Sequence, residues 1–182
     1  LGHEDIGEDS LYNEANSKKE ILMKKLVIAA CLFLLPISSF AGFKFNPKVN
    51  YNLLEYNNND ATGVGFGLGL GYSFVGLYTM LEYETAELSV DNYNSDQTMK
   101  NMGLVVGYEF PILLNVWLNY VFDAEFGNDE GSGTKIGLGY SVAPMIQLYL
   151  EIFNLEYDKS NGVNLASKRE LSGQQIGIQI PF

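Results

Sequence analysis

Val64-Gly65-Phe66-Gly67-Leu68-Gly69-Leu70-Gly71-Tyr72-Ser73-Phe74 is the stretch on which the fold turns. Every second residue is large and apolar, and the residues between are glycine or serine. A helix would spread those glycines around its whole cylinder, each costing helix stability, whereas a strand collects them on one face. The same period of two runs outward in both directions. Ile112, Leu114, Val116, Leu118, Tyr120, Phe122, Ala124 and Phe126 alternate with a mixed, largely polar set. Ile136, Leu138, Tyr140 and Val142 alternate with Lys135, Gly137, Gly139 and Ser141, and Ile176, Ile178, Ile180 and Phe182 alternate with Gln175, Gly177, Gln179 and Pro181. Turn-forming residues cut the chain into eight segments, giving strands near 43–56, 63–75, 77–90, 97–110, 112–127, 133–143, 145–158 and 168–182.

The connections alternate in length on this reading. Those at Val75-Gly76, Phe110-Pro111 and Ala143-Pro144 are very short, and those at 57–62, 91–96, 128–132 and 159–167 are longer and rich in Asn, Asp, Ser and Gly. Short turns at one end and polar loops at the other suit an eight-stranded antiparallel up-and-down transmembrane β-barrel, all-β and closed, because lipid offers no partner to an open sheet edge. The apolar set carries its aromatics at two heights: Phe43, Phe45, Tyr72, Phe74, Tyr108, Phe110, Tyr140 and Phe182 near one end, Tyr51, Phe66, Tyr83, Tyr120 and Phe122 higher. Two aromatic girdles around an aliphatic band face lipid. The small and polar set then fills the lumen.

By parity the lumen charges are Lys44, Lys48, Glu82, Glu84, Glu109, Asp123, Glu125, Lys135 and Glu151, with Tyr78, Trp117 and Tyr149 as lumen aromatics. An eight-stranded barrel is only wide enough for side chains to fill it, and buried charges must pair. Lys48 is expected to pair with Glu82, Glu84 or Glu151. The surplus of carboxylates leaves a narrow cation-preferring passage as the alternative to a filled interior. Phe153, Leu155 and Tyr157 break the polarity pattern after Ile152, and a β-bulge is expected there.

Upstream, Lys24 and Lys25 precede the apolar run Leu26–Leu35, which is followed by Pro36, two serines and Ser39-Phe40-Ala41. Residues 23–41 read as a secretory signal peptide cleaved after Ala41. The run is too short to span a bilayer as a helix. Ile28-Ala29-Ala30-Cys31 also fits a lipoprotein box, but the following residues stay apolar instead of forming a polar tether. Residues 1–22 are acidic and patternless, and a codon pair AAG GAG for Lys19-Glu20 would read as a ribosome-binding site two codons before Met23. They are therefore expected to be upstream leader sequence, a reading that peptides from this stretch in cell lysates would defeat.

Composition narrows the function. The chain has 22 acids against 11 Lys and Arg, which argues against nucleic acid as a partner. Cys31 and His3 are its single Cys and single His, so residues 42–182 hold neither, and neither a disulfide nor a Cys/His metal site can form there. No cofactor is expected.

The segment Gly63–Phe74, followed by a tight turn and Leu81-Glu82-Tyr83-Glu84, resembles the second and third strands of small outer-membrane barrels, the family of the OmpA transmembrane domain with OmpX and OmpW. The terminal pattern Ile176, Ile178, Ile180, Phe182 resembles the signal read by the barrel assembly machinery. The resemblance implies a bacterial outer-membrane location with both termini periplasmic. It implies outer-membrane lipid, lipopolysaccharide and the assembly machinery as partners, and a monomer. It also implies either a structural or surface role with a mostly filled lumen, or an OmpW-like channel for small solutes. A soluble periplasmic lipocalin-like barrel is the remaining alternative. No enzyme is expected, since barrels resembling palmitoyl transferases or lipid A deacylases use a His that 42–182 does not have.

Overall fold

The computed structural model describes residues 42–93 and 95–182. The signal peptide, the leader reading and Cys31 lie outside the described residues. Eight strands follow in order: β1 Gly42–Tyr56, β2 Asn59–Phe74, β3 Leu77–Val90, β4 Gln97–Glu109, β5 Leu114–Phe126, β6 Asp129–Ala143, β7 Ile146–Ser160 and β8 Val163–Gln179. Each pairs antiparallel with its sequence neighbours, and β1 pairs with β8 to close the barrel. The closing seam continues past the end of β8: Phe45 and Phe182 exchange both backbone hydrogen bonds, and the Ile180 N–H donates to the Pro47 carbonyl at 3.0 Å. The alternation of 64–74 is strand structure, as expected.

The expected inequality of the connections is largely absent. The links 57–58, 127–128 and 161–162 are two residues each, and only 91–96 is longer at that end. At the end carrying the termini, 110–113 has four residues. The Asn, Asp and Gly residues taken for loops instead supply turn conformations and then continue the strands. Asn57, Asn58, Asn161 and Gly162 all have positive φ, the requirement of a two-residue hairpin turn matched to strand twist. Val75 does the same at φ 51°, ahead of Gly76 at φ 80°. A β-branched residue is poorly suited to that region, which costs L-residues about 1–2 kcal/mol. Val75→Asn should therefore raise the free energy of unfolding in urea by about 1 kcal/mol.

Strands of 13 to 17 residues exceed the roughly 9–11 needed to cross a bilayer. The excess lies at the end away from the termini, and there the two faces exchange character. In the terminal half the outward residues are apolar, such as Leu70, Leu81, Leu104, Leu118, Leu138 and Ile178, and the inward ones are Lys, Glu, Asn, Gln and Gly around a small cluster of Tyr78, Met80, Val105, Trp117 and Tyr149. Tyr72, Phe74, Tyr140 and Phe182 ring the terminal border, and Tyr51, Phe66, Tyr83, Tyr120 and Phe122 ring the other, all exposed. Beyond this second ring the inside becomes apolar, packed with Leu54, Tyr56, Leu88, Met99, Phe126, Phe153, Leu155, Tyr157 and Leu171. The outside becomes Thr, Ser, Asn and acidic residues, from Thr85, Glu87 and Ser89 on β3 to Asn154, Glu156 and Asp158 on β7. A membrane-type barrel thus continues, strand by strand, into a collar of the soluble type.

This exchange corrects the expected bulge near 153–157. The pairing of β7 with β8 runs unbroken from Gln147 to Tyr157, and its register shift comes only between Tyr157 and Lys159. Phe153, at 2% exposure, simply takes the next inward position after Glu151. The pleat keeps its phase, and the surrounding solvent changes from lipid to water.

The barrel interior as candidate functional site

Even- and odd-numbered strands contribute different inward residues. β2, β4, β6 and β8 present glycines, and β1, β3, β5 and β7 present long side chains that lie across them. Tyr78 covers Gly107, Trp117 covers Gly137, Gln147 covers Gly139, Tyr149 covers Gly177 and the Lys48 stem covers Gly67. A Cβ built at any of these glycines would overlap the side chain covering it. Register explains the match, since Tyr78 pairs with Gly107, Trp117 with Gly137 and Tyr149 with Gly177. The glycine stripe provides space for the large rings of the adjacent strands, and those rings fill the lumen.

At mid-height the charges form one network. Lys48 Nζ lies 2.8 Å from Glu82 Oε1, 3.3 Å from Glu151 Oε2 and 3.4 Å from Glu84 Oε2. Lys135 Nζ donates to Glu84 Oε2 at 2.6 Å and stands 4.3 Å from the Phe153 ring centre. Asn50 donates to Glu84 at 2.9 Å, Asn119 to Glu82 at 2.8 Å, and Trp117 Nε1 and Gln175 Nε2 both donate to Glu151. All five ionisable groups are buried. Toward the terminal mouth Lys44 pairs with the half-buried Glu109 and sits over the Tyr78 ring, while Tyr78 donates to Asn115 at 2.9 Å. Lys44, Lys48, Glu82, Glu84, Glu109, Lys135, Glu151, Tyr78, Trp117 and Tyr149 therefore stand where their parity puts them, and Lys48 reaches all three of its expected partners. Ile176, Ile178, Ile180 and Phe182 face outward on the lipid side.

Asp123 and Glu125 do not enter the lumen. In β5, Val121 and Ala124 both face inward, with Phe122 and Asp123 between them on the outside. A bulge at this point shifts the register against both β4 and β6. Every later residue of β5 changes side as a result. Glu125 then pairs with Lys100 at 3.2 Å on the collar's outer wall, with both side chains about half exposed. An exposed pair contributes little, so Glu125→Gln should change the unfolding free energy by less than about 1 kcal/mol in urea titration.

The collar interior was not anticipated, and its rim holds a further ion pair in which Asp129 is buried and Arg169 partly exposed. Arg169 donates to Asp129 at 2.7 Å, and the Tyr56 hydroxyl donates to the same carboxylate. Burial opposes ionisation of Asp129, but donors from Ser160, Tyr56 and Arg169 outweigh it and hold the carboxyl below its ordinary value. Beneath this pair, Tyr56 lies tilted against Phe126 at 4.3 Å and packs edge-on against Tyr157 at 6.1 Å. An ion pair thus stands at each mouth of the lumen, with a charged layer and an apolar layer between them.

A closed sheet with an apolar, aromatic-bordered outer band and a polar, filled interior defines a small eight-stranded transmembrane β-barrel. No protein-family model matches the chain, and no curated protein matches it in sequence. Among solved structures it is similar to Neisserial surface protein A (NspA), at 18% identity over 79% of this chain and 99% of that one, with a TM-score of 0.53. A de novo designed transmembrane β-barrel aligns at 16% identity over 76% of this chain and 95% of that one, with a TM-score of 0.46. The outer membrane protein OprG from Pseudomonas aeruginosa aligns at 11% identity over 77% and 95%, with a TM-score of 0.37. The likeness to NspA is one of fold.

Proposed function

We propose that this protein is a monomeric bacterial outer-membrane barrel with a structural or surface role and no continuous passage. The observation that carries this reading is the filling of the lumen: large odd-strand side chains lie on even-strand glycines, above and below a closed ion-pair layer. The soluble-carrier alternative requires an apolar inside and polar outside throughout, and only the collar has that arrangement. The outer-membrane lipid contacts the aliphatic band, lipopolysaccharide surrounds the collar, and the assembly machinery reads Ile176, Ile178, Ile180 and Phe182.

Both termini lie at one end because the strand number is even. We place that end in the periplasm. The turns there are apolar, while the collar holds twelve of the sixteen acids of 42–182 and four of its seven bases, a surface suited to water outside the cell. An epitope inserted in the 91–96 connection should be reached by antibody on intact cells. Staining only after permeabilisation would reverse the orientation.

Planar-bilayer conductance tests the filled lumen. The membrane-extracted protein, shown to be folded, should give no discrete steps. Cation-selective steps that weaken in Glu82→Gln or Glu84→Gln would instead support the narrow passage.

A further inference from the structure

The charged layer does not balance. Glu82, Glu84 and Glu151 are buried carboxylates, and Lys48 and Lys135 are the two ammonium groups that face them. The other inward charges pair away from this layer, Lys44 with Glu109 nearer the terminal mouth and Arg169 with Asp129 at the collar rim. β4, β5 and β8 contribute no charge at this height, only Asn101, Asn119, Trp117 and Gln175. Three carboxylates against two lysines leave one negative charge without a partner, in a place where an uncompensated charge costs several kcal/mol.

A second observation points the same way. Buried polar atoms without a hydrogen-bond partner include four amide oxygens, Asn119 Oδ1, Gln175 Oε1, Asn52 Oδ1 and Asn46 Oδ1, beside the hydroxyls of Tyr149 and Tyr157. Asn119 and Gln175 turn their NH2 groups onto Glu82 and Glu151, which leaves their oxygens with nothing to accept. Both donors to Glu82, Lys48 and Asn119, reach the same oxygen, Oε1. The charged layer is therefore short of one positive charge, and the oxygens of Asn119 and Gln175 within it have no donor.

From this we infer that the barrel holds one small cation in its charged layer, at Glu82 beside Asn119, as a proton or as a monovalent ion such as Na+. The bound charge neutralises the third carboxylate and lies beside Asn119, whose buried oxygen has no donor. Binding to the folded barrel but not to the unfolded chain makes stability depend on the concentration of that cation.

The sequence makes this measurable. Residues 42–182 contain no His and no Cys, so between about pH 6 and 9 the amino terminus is the one ordinary titrating group, and carboxylates of the unfolded chain are already ionised. Trp117 is the single Trp of the chain and donates to Glu151, so its fluorescence reports on this layer. The experiment is urea unfolding of the membrane-purified protein in non-ionic micelles, in two arms. One arm raises pH at constant Na+. The other replaces Na+ by choline, too bulky for the site, at constant pH and ionic strength. A bound proton makes the unfolding constant rise with pH, and a bound Na+ makes it rise as choline replaces Na+. Either approaches tenfold per tenfold loss of the cation while the site is full. Glu82→Gln restores the two-to-two balance and should lose the dependence, while the amino terminus stays common to both proteins. Glu151→Gln makes the same correction and serves if Glu82→Gln does not fold. A native barrel flat in both arms, or a balanced variant that keeps the native slope, overturns the inference.

Discussion

Replacing Gly137 by valine should leave no folded barrel. Gly137 stands opposite both Trp117 and Glu151 in its layer, and a Cβ there falls within the Trp117 ring. The ring cannot turn away, because Gly137's own backbone, Tyr149 at 6.0 Å and the Glu151 carboxylate fix it on three sides. Overpacking a well-filled core costs about 1–3 kcal/mol and more when a rigid ring is the obstacle. Here it also removes the Trp117 donor from a buried carboxylate. Heat-modifiable mobility in SDS gels should show only the unfolded band. Shrinking the ring in the double variant Trp117→Ala/Gly137→Val should restore part of the folded band. If the single variant folds normally, the large-on-glycine packing is not what fills the lumen.

Lys48→Met should be the most damaging change in the charged layer. Lys48 touches all three carboxylates, so its loss leaves Glu82, Glu84 and Glu151 facing Lys135 alone. Breaking a buried ion pair by removing one partner costs about 3–5 kcal/mol, because the charge left behind has neither water nor counter-ion. Methionine keeps the stem that lies across Gly67, so the effect isolates the charge. Adding Glu82→Gln and Glu151→Gln to Lys48→Met should recover much of the loss in urea titration. A loss of under about 1 kcal/mol for Lys48→Met would mean that water reaches the layer and screens it.

The fold could be read in the sequence because strand alternation is a local signal. The 64–74 stretch and the terminal Ile176–Phe182 pattern place their residues on opposite faces whatever the partners. Lys48 could also be assigned, since β1 keeps an unbroken phase from Lys44 to Tyr56. Asp123 and Glu125 could not, because a bulge is a property of pairing and reverses the side of every later residue while leaving the residues themselves ordinary. The collar was misread for a different reason. Apolar residues were taken to face lipid along the whole strand, so Phe153 appeared to be out of phase when it lies inside. A period of two reports which residues share a face, but not which medium that face meets. The Asn-rich segments were read as loops for a related reason: asparagine is equally at home in a two-residue turn and in a longer one, and only the hairpin register decides.

The level at which the faces exchange also fixes how deep the protein can sit. About six residues of β3, Thr85 to Val90, lie beyond the aromatic ring, which is about 20 Å of strand. Sinking the barrel by one residue pair would carry Thr62, Thr85 and Thr134 into hydrocarbon, and sinking by two would carry acids with them. Raising it would expose aliphatic side chains to water. The collar therefore acts as a flange. In a bilayer thicker or thinner than its aliphatic band, this protein cannot slide or submerge to relieve the mismatch, and the lipid around it must stretch or thin instead.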